Sequence, residues 1–227
     1  MPHLTDLILP VAMAVAAGLV GAFALMRRMA LASDAMSHVA LPGIGLAIAL
    51  QINPVLGGFA ALVVGVLLVW AIEQKTSLPT EAVIGVIFSA ALALGSMLTS
   101  GEELIEALFG AGRRPGTAET VLGTVAAIVV AAFILRSRSR LVIALISPDL
   151  AATAGINVRR INLLFLLTFA VAIALGLRYL GVLLIGSLLI IPAAAAKHLA
   201  GSLNAMQAIS VAIAVGATVL GSIAAPL

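Results

Sequence analysis

The residues in this sequence best suited to chemistry are an aspartate and a histidine four positions apart, Asp34 and His38, within an apolar stretch at 33–50. Side chains at positions i and i+4 lie one above the other on a helix face. Pro42 continues the same ridge, and because proline has no N–H, the carbonyl of His38 loses its helical partner. This face therefore offers a carboxylate, an imidazole and one free carbonyl oxygen at membrane depth.

The cost of burying a charge in lipid indicates what such a pair could do. A charge at membrane depth costs at least about 2.5–3.5 kcal/mol on insertion scales, so it usually faces a bundle interior or a water-filled path and marks function. The alternative is that Asp34 and His38 only tie helices together by hydrogen bonds. Asp34 also lies within two turns of Arg27 and Arg28, so its side chain could reach the membrane surface. The residues alone leave both interpretations open.

The composition shows what kind of protein must position this pair. The chain has 227 residues, of which 63% are apolar and 9% are charged, whereas a soluble domain has about 25% charged residues. It is therefore a polytopic membrane protein, with a mean hydropathy of +1.27. The absence of cysteine excludes disulfides, thiolate metal sites and cysteine nucleophiles. No basic patch is interleaved with aromatic residues, so nucleic acid is not an expected partner.

The hydropathy pattern predicts an all-α chain with a single transmembrane domain over residues 1–227. The predicted spans, about eight in number, are 7–26, 33–50, 55–72, 81–99, 118–135, 161–177, 180–196 and 204–224. The positive-inside rule places Arg27 and Arg28 in the cytoplasm, and the other lysines and arginines favour the same orientation. Residues 101–117, rich in glycine, are expected to form a short helix and a loop on the outer side.

A short helix is predicted between two basic-flanked spans, in the cytoplasmic segment 146–158. Ser147 is a good N-cap, Pro148 suits the first helical position, and Asp149 favours the positive end of the helix dipole. Gly155 is a plausible stop. The small apolar face of this helix consists of Leu150, Ala151 and Ala154. It could lie on lipid, or it could dock into a partner protein.

Catalytic motifs are absent from the sequence. There is no Walker-type glycine loop, no H-E-x-x-H and no G-x-S-x-G serine. The chain is therefore not expected to be an enzyme or to bind ATP by that route. Glu81 stands at the inner end of its span, where an acid at a helix start is the ordinary interpretation.

The sequence resembles a known family, the membrane permease subunits of ABC-type metal-ion uptake transporters of the zinc/manganese group. The resemblance lies in four blocks: RRMALASDAMSHVALPGIGLA at 27–47, TEAVIGVIFSAALALG at 80–95, ISPDLAATAGINVRRINLLFL at 146–166 and YLGVLLIGSLLIIPAAAAKHLA at 179–200. The Asp-x-x-x-His block followed by proline is the most specific of them. Family members usually have glycine before the aspartate, where this chain has Ser33.

The resemblance implies a multi-pass protein of the inner (plasma) membrane that works with partners. Two permease copies would pair with two cytoplasmic ABC ATPases, and an extracytoplasmic solute-binding protein would deliver the metal ion. Asp34 and His38 match the family's intramembrane metal-coordinating pair. The predicted short helix aligns with the family's coupling helix, which sits in a cleft of the ATPase. Its coupling residues would be Ser147, Pro148, Asp149, Leu150, Ala151 and Gly155.

The transported ion would be divalent, and no permanently bound cofactor is expected. Aspartate oxygen and imidazole nitrogen suit Zn²⁺ or Mn²⁺, and Fe²⁺ accepts overlapping ligands. If two copies face a twofold axis, two Asp and two His supply the four ligands of tetrahedral zinc. Two alternatives need no ATPase: a secondary carrier and a passive metal-binding membrane protein. Family members normally continue past residue 227 with another hydrophobic stretch, so an incomplete, non-transporting copy is a further hypothesis.

Overall fold

The computed structural model of the protein describes residues 4–98 and 116–224. In these ranges the chain forms the helices α1 (Leu4–Met26), α2 (Ala32–Val39), α3 (Leu41–Ala49), α4 (Pro54–Glu73), α5 (Thr80–Leu98), α6 (Thr117–Ile146), α7 (Pro148–Thr153), α8 (Val158–Leu199) and α9 (Leu203–Ala224). The predicted outer segment 101–117 lies almost entirely outside the described residues. Its predicted helix and loop therefore stay a prediction.

The membrane-spanning character of the helices agrees with the sequence. In the described chain, six helical segments are long and apolar enough to cross a bilayer, and the first part of α8, Val158–Leu177, is one of them. The second part of α8, Leu184–Leu199, is also apolar but shorter. The all-α polytopic fold is thereby confirmed. One boundary differs clearly: α6 continues past the predicted end at 135 and reaches Ile146, so three arginines lie on a helical extension.

The stretch that carries Asp34 and His38 is a broken helix rather than one continuous span. α2 ends at Val39 and α3 begins at Leu41. Ala40 between them keeps helical dihedral angles, φ −70° and ψ −26°, so the chain continues in nearly the same direction. The break lies where the missing N–H of Pro42 leaves the helical ladder incomplete.

The long helix α8 is divided at Gly181, which has φ 78° and ψ 170°. This backbone conformation is essentially restricted to glycine because any Cβ would be strained there. The chain folds back at this point, since a Cβ at Gly176 would collide with the side chain of Ile185. In a continuous helix these two residues would lie about 13 Å apart along the axis. The turn predicted between residues 177 and 180 is therefore present, a few residues later than expected.

The core forms where α1 and α8 pack together, with α6 and α9 also packed on α1. Phe23 of α1 meets Phe165 of α8 edge-on at 6.5 Å between ring centroids, and Phe165 stacks on Phe169 at 6.3 Å. All three side chains are fully buried. α8 also contacts α2 and α4, while α2 and α3 rest on α5. α8 therefore connects α2, which carries Asp34 and His38, to the rest of the bundle.

Close helix contacts in lipid depend on small residues, which makes Gly21→Ala a test of the α1–α8 contact. A Cβ at Gly21 would lie 1.8 Å from the carbonyl oxygen of Leu189, so the two helices must separate. We expect a loss of about 1–3 kcal/mol in the free energy of unfolding, more than the helix propensity that alanine adds. The measurement is the thermal unfolding midpoint in detergent. The control is Gly216→Ala, where nothing lies within 4 Å; equal midpoints for the two variants would contradict this packing.

Candidate functional site

Asp34 and His38 lie one turn apart on α2, on the side that faces α5. Asp34 is exposed and His38 is partly buried, while Ser33 and Ser37 are 1% and 0% exposed. The Ser37 hydroxyl donates a hydrogen bond to the backbone oxygen of Asp34 at 2.7 Å. α2 therefore turns its serines inward and presents its carboxylate and imidazole along the opposite edge, as the i, i+4 spacing predicted.

The imidazole of His38 packs against an aromatic ring but keeps one nitrogen without a partner. Its ring centroid lies 5.5 Å from that of Phe88 on α5. Nδ1 is buried and has no hydrogen-bond partner within residues 4–98 and 116–224. Asp34 is close enough for its carboxylate to interact electrostatically with the ring. Buried polar atoms in proteins are nearly always paired, so an unpaired buried imidazole nitrogen is unusual.

Asp34 opens into a pocket of about 280 Å³ between α2 and α5. Glu81, an exposed residue of the first turn of α5, lines the same pocket. The ordinary interpretation of Glu81 from the sequence is an acid at a helix start. Its place in the block at 80–95 was the available signal, but nothing in the sequence showed that α5 would face α2. The remaining lining residues are Leu31, Ala32, Ala35, Ile84, Gly85 and Phe88.

The depth at which α2 sits is set by a glycine in α8. The Ser33 hydroxyl lies 3.5 Å from the backbone oxygen of Gly186 and donates a hydrogen bond to it. A Cβ at Gly186 would lie 3.3 Å from the Cα of Asp34, which is tighter than most contacts of this kind. The missing side chain of Gly186 therefore lets the backbone of Asp34 approach α8.

A single chain offers only part of a metal-ion coordination sphere. Within the described ranges, no group of three or more His, Cys, Asp or Glu side chains could hold a metal ion. The predicted ligands Asp34 and His38 are two side chains, whereas zinc in proteins usually takes four ligands. Of the two, Asp34 is the exposed one.

The predicted cytoplasmic helix is present as α7, and its N-terminus is capped as expected. The Ser147 side chain accepts a hydrogen bond from the backbone N–H of Leu150 at 3.3 Å. Pro148 occupies the first helical position, where its missing N–H leaves no partner unsatisfied. The local sequence is thus sufficient to start this short helix.

The end of α7 is fixed by a Schellman motif. Gly155 has φ +72° and donates its N–H to the carbonyl of Ala152 at 3.0 Å, while Ile156 donates to Ala151 at 2.8 Å. Only glycine adopts this left-handed conformation readily. The predicted stop at Gly155 is therefore confirmed in detail.

The residues predicted to couple this helix to a partner do not share one environment. Ala151 is fully buried against the bundle, whereas Leu150 is 61% exposed. Ser147 is partly buried, and the others are exposed: Pro148, Asp149 and Gly155. Ala151 therefore anchors α7 to its own chain, and the surface open to a partner consists of the exposed residues.

A bundle of apolar helices with a capped helix projecting at one end is the architecture of a membrane-embedded transport permease. The chain belongs to the ABC 3 transport family, whose model matches residues 4–225. This membership confirms the resemblance in the sequence. It makes the chain a multi-pass inner-membrane permease subunit of an ABC transporter, in which ATP hydrolysis takes place on a separate partner chain.

Similar proteins agree with this assignment. The high-affinity zinc uptake system membrane protein ZnuB of Haemophilus influenzae is 32% identical over 193 residues, covering 82% of this chain and 73% of that protein. The manganese import system permease protein ScaB of Streptococcus gordonii is 31% identical over 219 residues, covering 95% and 79%. The structure of PsaBC from Streptococcus pneumoniae in complex with Fab superposes with a TM-score of 0.80 at 27% identity, covering 96% and 80%.

The cap of α7 can be tested with Ser147→Ala. Removal of an N-cap side chain costs about 0.5–2 kcal/mol of helix stability, so we expect faster backbone hydrogen exchange in α7. Hydrogen–deuterium exchange followed by mass spectrometry of the peptide that contains α7 is the measurement. Ser147→Asp keeps a capping oxygen and should exchange like the unchanged protein. If the alanine and aspartate variants exchanged alike, the cap would not hold the helix.

Proposed function

We propose that this chain is the transmembrane subunit of an ATP-driven importer of divalent metal ions, such as zinc, manganese or iron. The ion crosses where two copies of the chain meet and is held briefly by Asp34 and His38. Two similar proteins, the zinc uptake system membrane protein ZnuB and the manganese import system permease protein ScaB, support this cargo class.

The observation that carries the proposal is that Asp34 is exposed in the single chain, at a pocket between α2 and α5, within a bundle of helices long and apolar enough to cross a membrane. A carboxylate facing hydrocarbon is strongly disfavoured. The edge must therefore be covered by something polar, and a second copy with a water-accessible path provides it. A twofold interface also brings the same residues of both copies together.

The ligand set is completed in such a pair. Two copies supply two Asp34 carboxylates and two His38 imidazoles, which is the ligand number that tetrahedral zinc takes. Nδ1 of His38 has no hydrogen-bond partner among the described residues, so binding of a metal ion to this nitrogen would break no hydrogen bond. Nitrogen and oxygen ligands suit zinc, manganese and iron alike, so the proposal extends to the class of ion rather than to one metal.

The proposed ion path across the membrane has a partner protein at each end. A cytoplasmic ABC ATPase binds the exposed part of α7, and an extracytoplasmic solute-binding protein delivers the ion from the other side. ATP hydrolysis moves α7, and rigid-body movement of the two copies alternates access to the site. A secondary carrier would have no need of an ATPase. Retention of an ATPase subunit during purification separates the two hypotheses.

The ligand role predicts that His38→Ala abolishes ATP-dependent metal uptake. The variant removes one ligand from each copy and therefore half of the four ligands, including both nitrogen donors. Uptake of ⁶⁵Zn or ⁵⁴Mn into proteoliposomes that contain the permease, the ATPase and the binding protein is the measurement. His198→Ala, at an exposed histidine in the last turn of α8, is the control and should transport normally. Undiminished uptake by a correctly inserted His38→Ala variant would refute the ligand role.

The coupling role predicts that Asp149→Ala and Gly155→Ala uncouple the ATPase. The first removes an exposed carboxylate, and the second strains a residue with φ +72°. We expect reduced ATPase retention on the purified permease and loss of uptake, with the inserted amount unchanged. The control is Gly201→Ala, at an exposed glycine with nothing within 4 Å of a new Cβ. Normal assembly and transport in both variants would argue against this surface.

A further inference from the structure

Arg27 is a cation that turns into the bundle at the end of α1, while its neighbour Arg28 is exposed. Its Nη2 donates a hydrogen bond to Oδ1 of Asn162 at 2.8 Å. The carbon at the centre of its guanidinium lies 4.3 Å from the ring centroid of Phe165, within the range of a cation–π interaction. Both partners belong to the first two turns of α8.

The electrostatic setting of Arg27 is unusual for a residue that only stabilises a fold. Burial lowers the pKa of Arg27 to about 10, while the charge of Glu73 at the end of α4 raises it. The group remains a cation at neutral pH, yet its Nε is buried with no partner in the described part of the chain. The positive-inside rule explains a cation at the end of α1, but it applies equally to the exposed Arg28 and does not explain why the side chain of Arg27 turns inward.

On one side, Arg27 is linked to the metal-site helix by a short hydrogen-bonded turn. Arg28 adopts a left-handed conformation with φ 60°. The N–H of Met29 reaches back to the carbonyl of Ala24 at 2.9 Å, and the N–H of Ala32 bonds to the carbonyl of Met29 at 3.1 Å. The turn therefore has little freedom, and a displacement of Arg27 moves the start of α2, which carries Asp34.

On the other side, the partners of Arg27 follow α7 closely along the chain. Asn157 caps α8 by accepting a hydrogen bond from the N–H of Arg160 at 3.0 Å. The indole N–H of Trp70, on α4, donates to the carbonyl of Arg159 at 3.1 Å. The first turns of α8 are thus tied to α4 and to Arg27, and only four residues separate them from the end of α7.

We propose that Arg27 is a positioning residue that transmits movement of α7, through the start of α8, to the helix that carries Asp34 and His38. This inference rests on the proposed function, because it assumes that an ATPase moves α7. It adds a defined path for the coupling: α7, Asn162, Arg27, the turn and α2.

The first test compares two adjacent charge removals, Arg27→Gln and Arg28→Gln, in proteoliposomes with the ATPase and binding protein. Metal uptake and ATP hydrolysis are measured in the same vesicles, and their ratio reports coupling. We expect Arg27→Gln to lower this ratio roughly tenfold, a typical size for coupling between sites, while ATP hydrolysis persists. Arg28→Gln carries the same change of charge and should keep the wild-type ratio.

A second pair of variants tests the hydrogen bond itself. Asn162→Leu removes the acceptor at nearly the same volume and should lower the ratio as Arg27→Gln does. Asn162→Asp keeps an acceptor for the guanidinium and should retain coupling. In the double variant Arg27→Gln/Asn162→Leu, the loss should be no larger than in either single variant, because both break one link.

A third measurement remains informative even where uptake is lost altogether. The chain has no cysteine, so Leu31→Cys introduces a single thiol at a residue that is 76% exposed beside Asp34. We expect vanadate-trapped nucleotide to change its labelling rate by a water-soluble maleimide. With Arg27→Gln added, the rate should no longer respond to the nucleotide.

The outcomes separate this inference from the proposed function. A wild-type complex without ATP-dependent uptake would overturn the proposed function and this inference with it. Wild-type uptake together with an unchanged ratio in Arg27→Gln would overturn only the role of Arg27. An equal fall in both arginine variants would indicate a general effect of charge and would also overturn it, as would a nucleotide response of the thiol that survives Arg27→Gln.

Discussion

The inability of lipid to solvate a charge is the constraint on which the rest of this structure depends. Asp34 is exposed at the edge of the bundle, and a carboxylate there requires a polar surface opposite it. The short helix α2 holds it at that edge, with two serines turned inward. The absent side chain of Gly186 lets the α2 backbone lie close to α8. The packing of α2 and the position of Asp34 therefore depend on the same contacts.

The two parts of α8 contact two different regions, the one around Asp34 and the one around Arg27. Its second part, beyond the kink at Gly181, contains Gly186 beside Asp34, and its first part contains Asn162 beside Arg27. It contacts α1, α2, α4, α6, α7 and α9. Each of the two parts of α8 is helical and packs against its neighbours, and Gly181 joins them. α8 is therefore suited to relate the position of α7 to that of α2.

The sequence predicted those structural features that depend on residues close together along the chain. Hydropathy placed the spans, and Ser147 and Gly155 defined both ends of α7, because caps depend on local chemistry. The sequence did not predict the environment of a side chain where that environment depends on tertiary contacts. Ala151 belongs to the predicted apolar face of α7 but is fully buried. Glu81 was an ordinary helix-start acid until α5 placed it in the pocket of Asp34, and the inward turn of Arg27 instead of Arg28 depends on Asn162.

A ligand set divided between two copies has a consequence for transport. In the proposed dimer each copy contributes Asp34 and His38, so the number of ligands around the ion depends on the distance between the copies. A rigid-body separation would leave the ion with half of its ligands and would lower affinity without any change inside either bundle. Tight capture and easy release need not conflict in such a site, because the two states differ in ligand number. In the proposed dimer, the incomplete ligand set that the described part of one chain offers would let movement driven by ATP control how tightly the ion is bound.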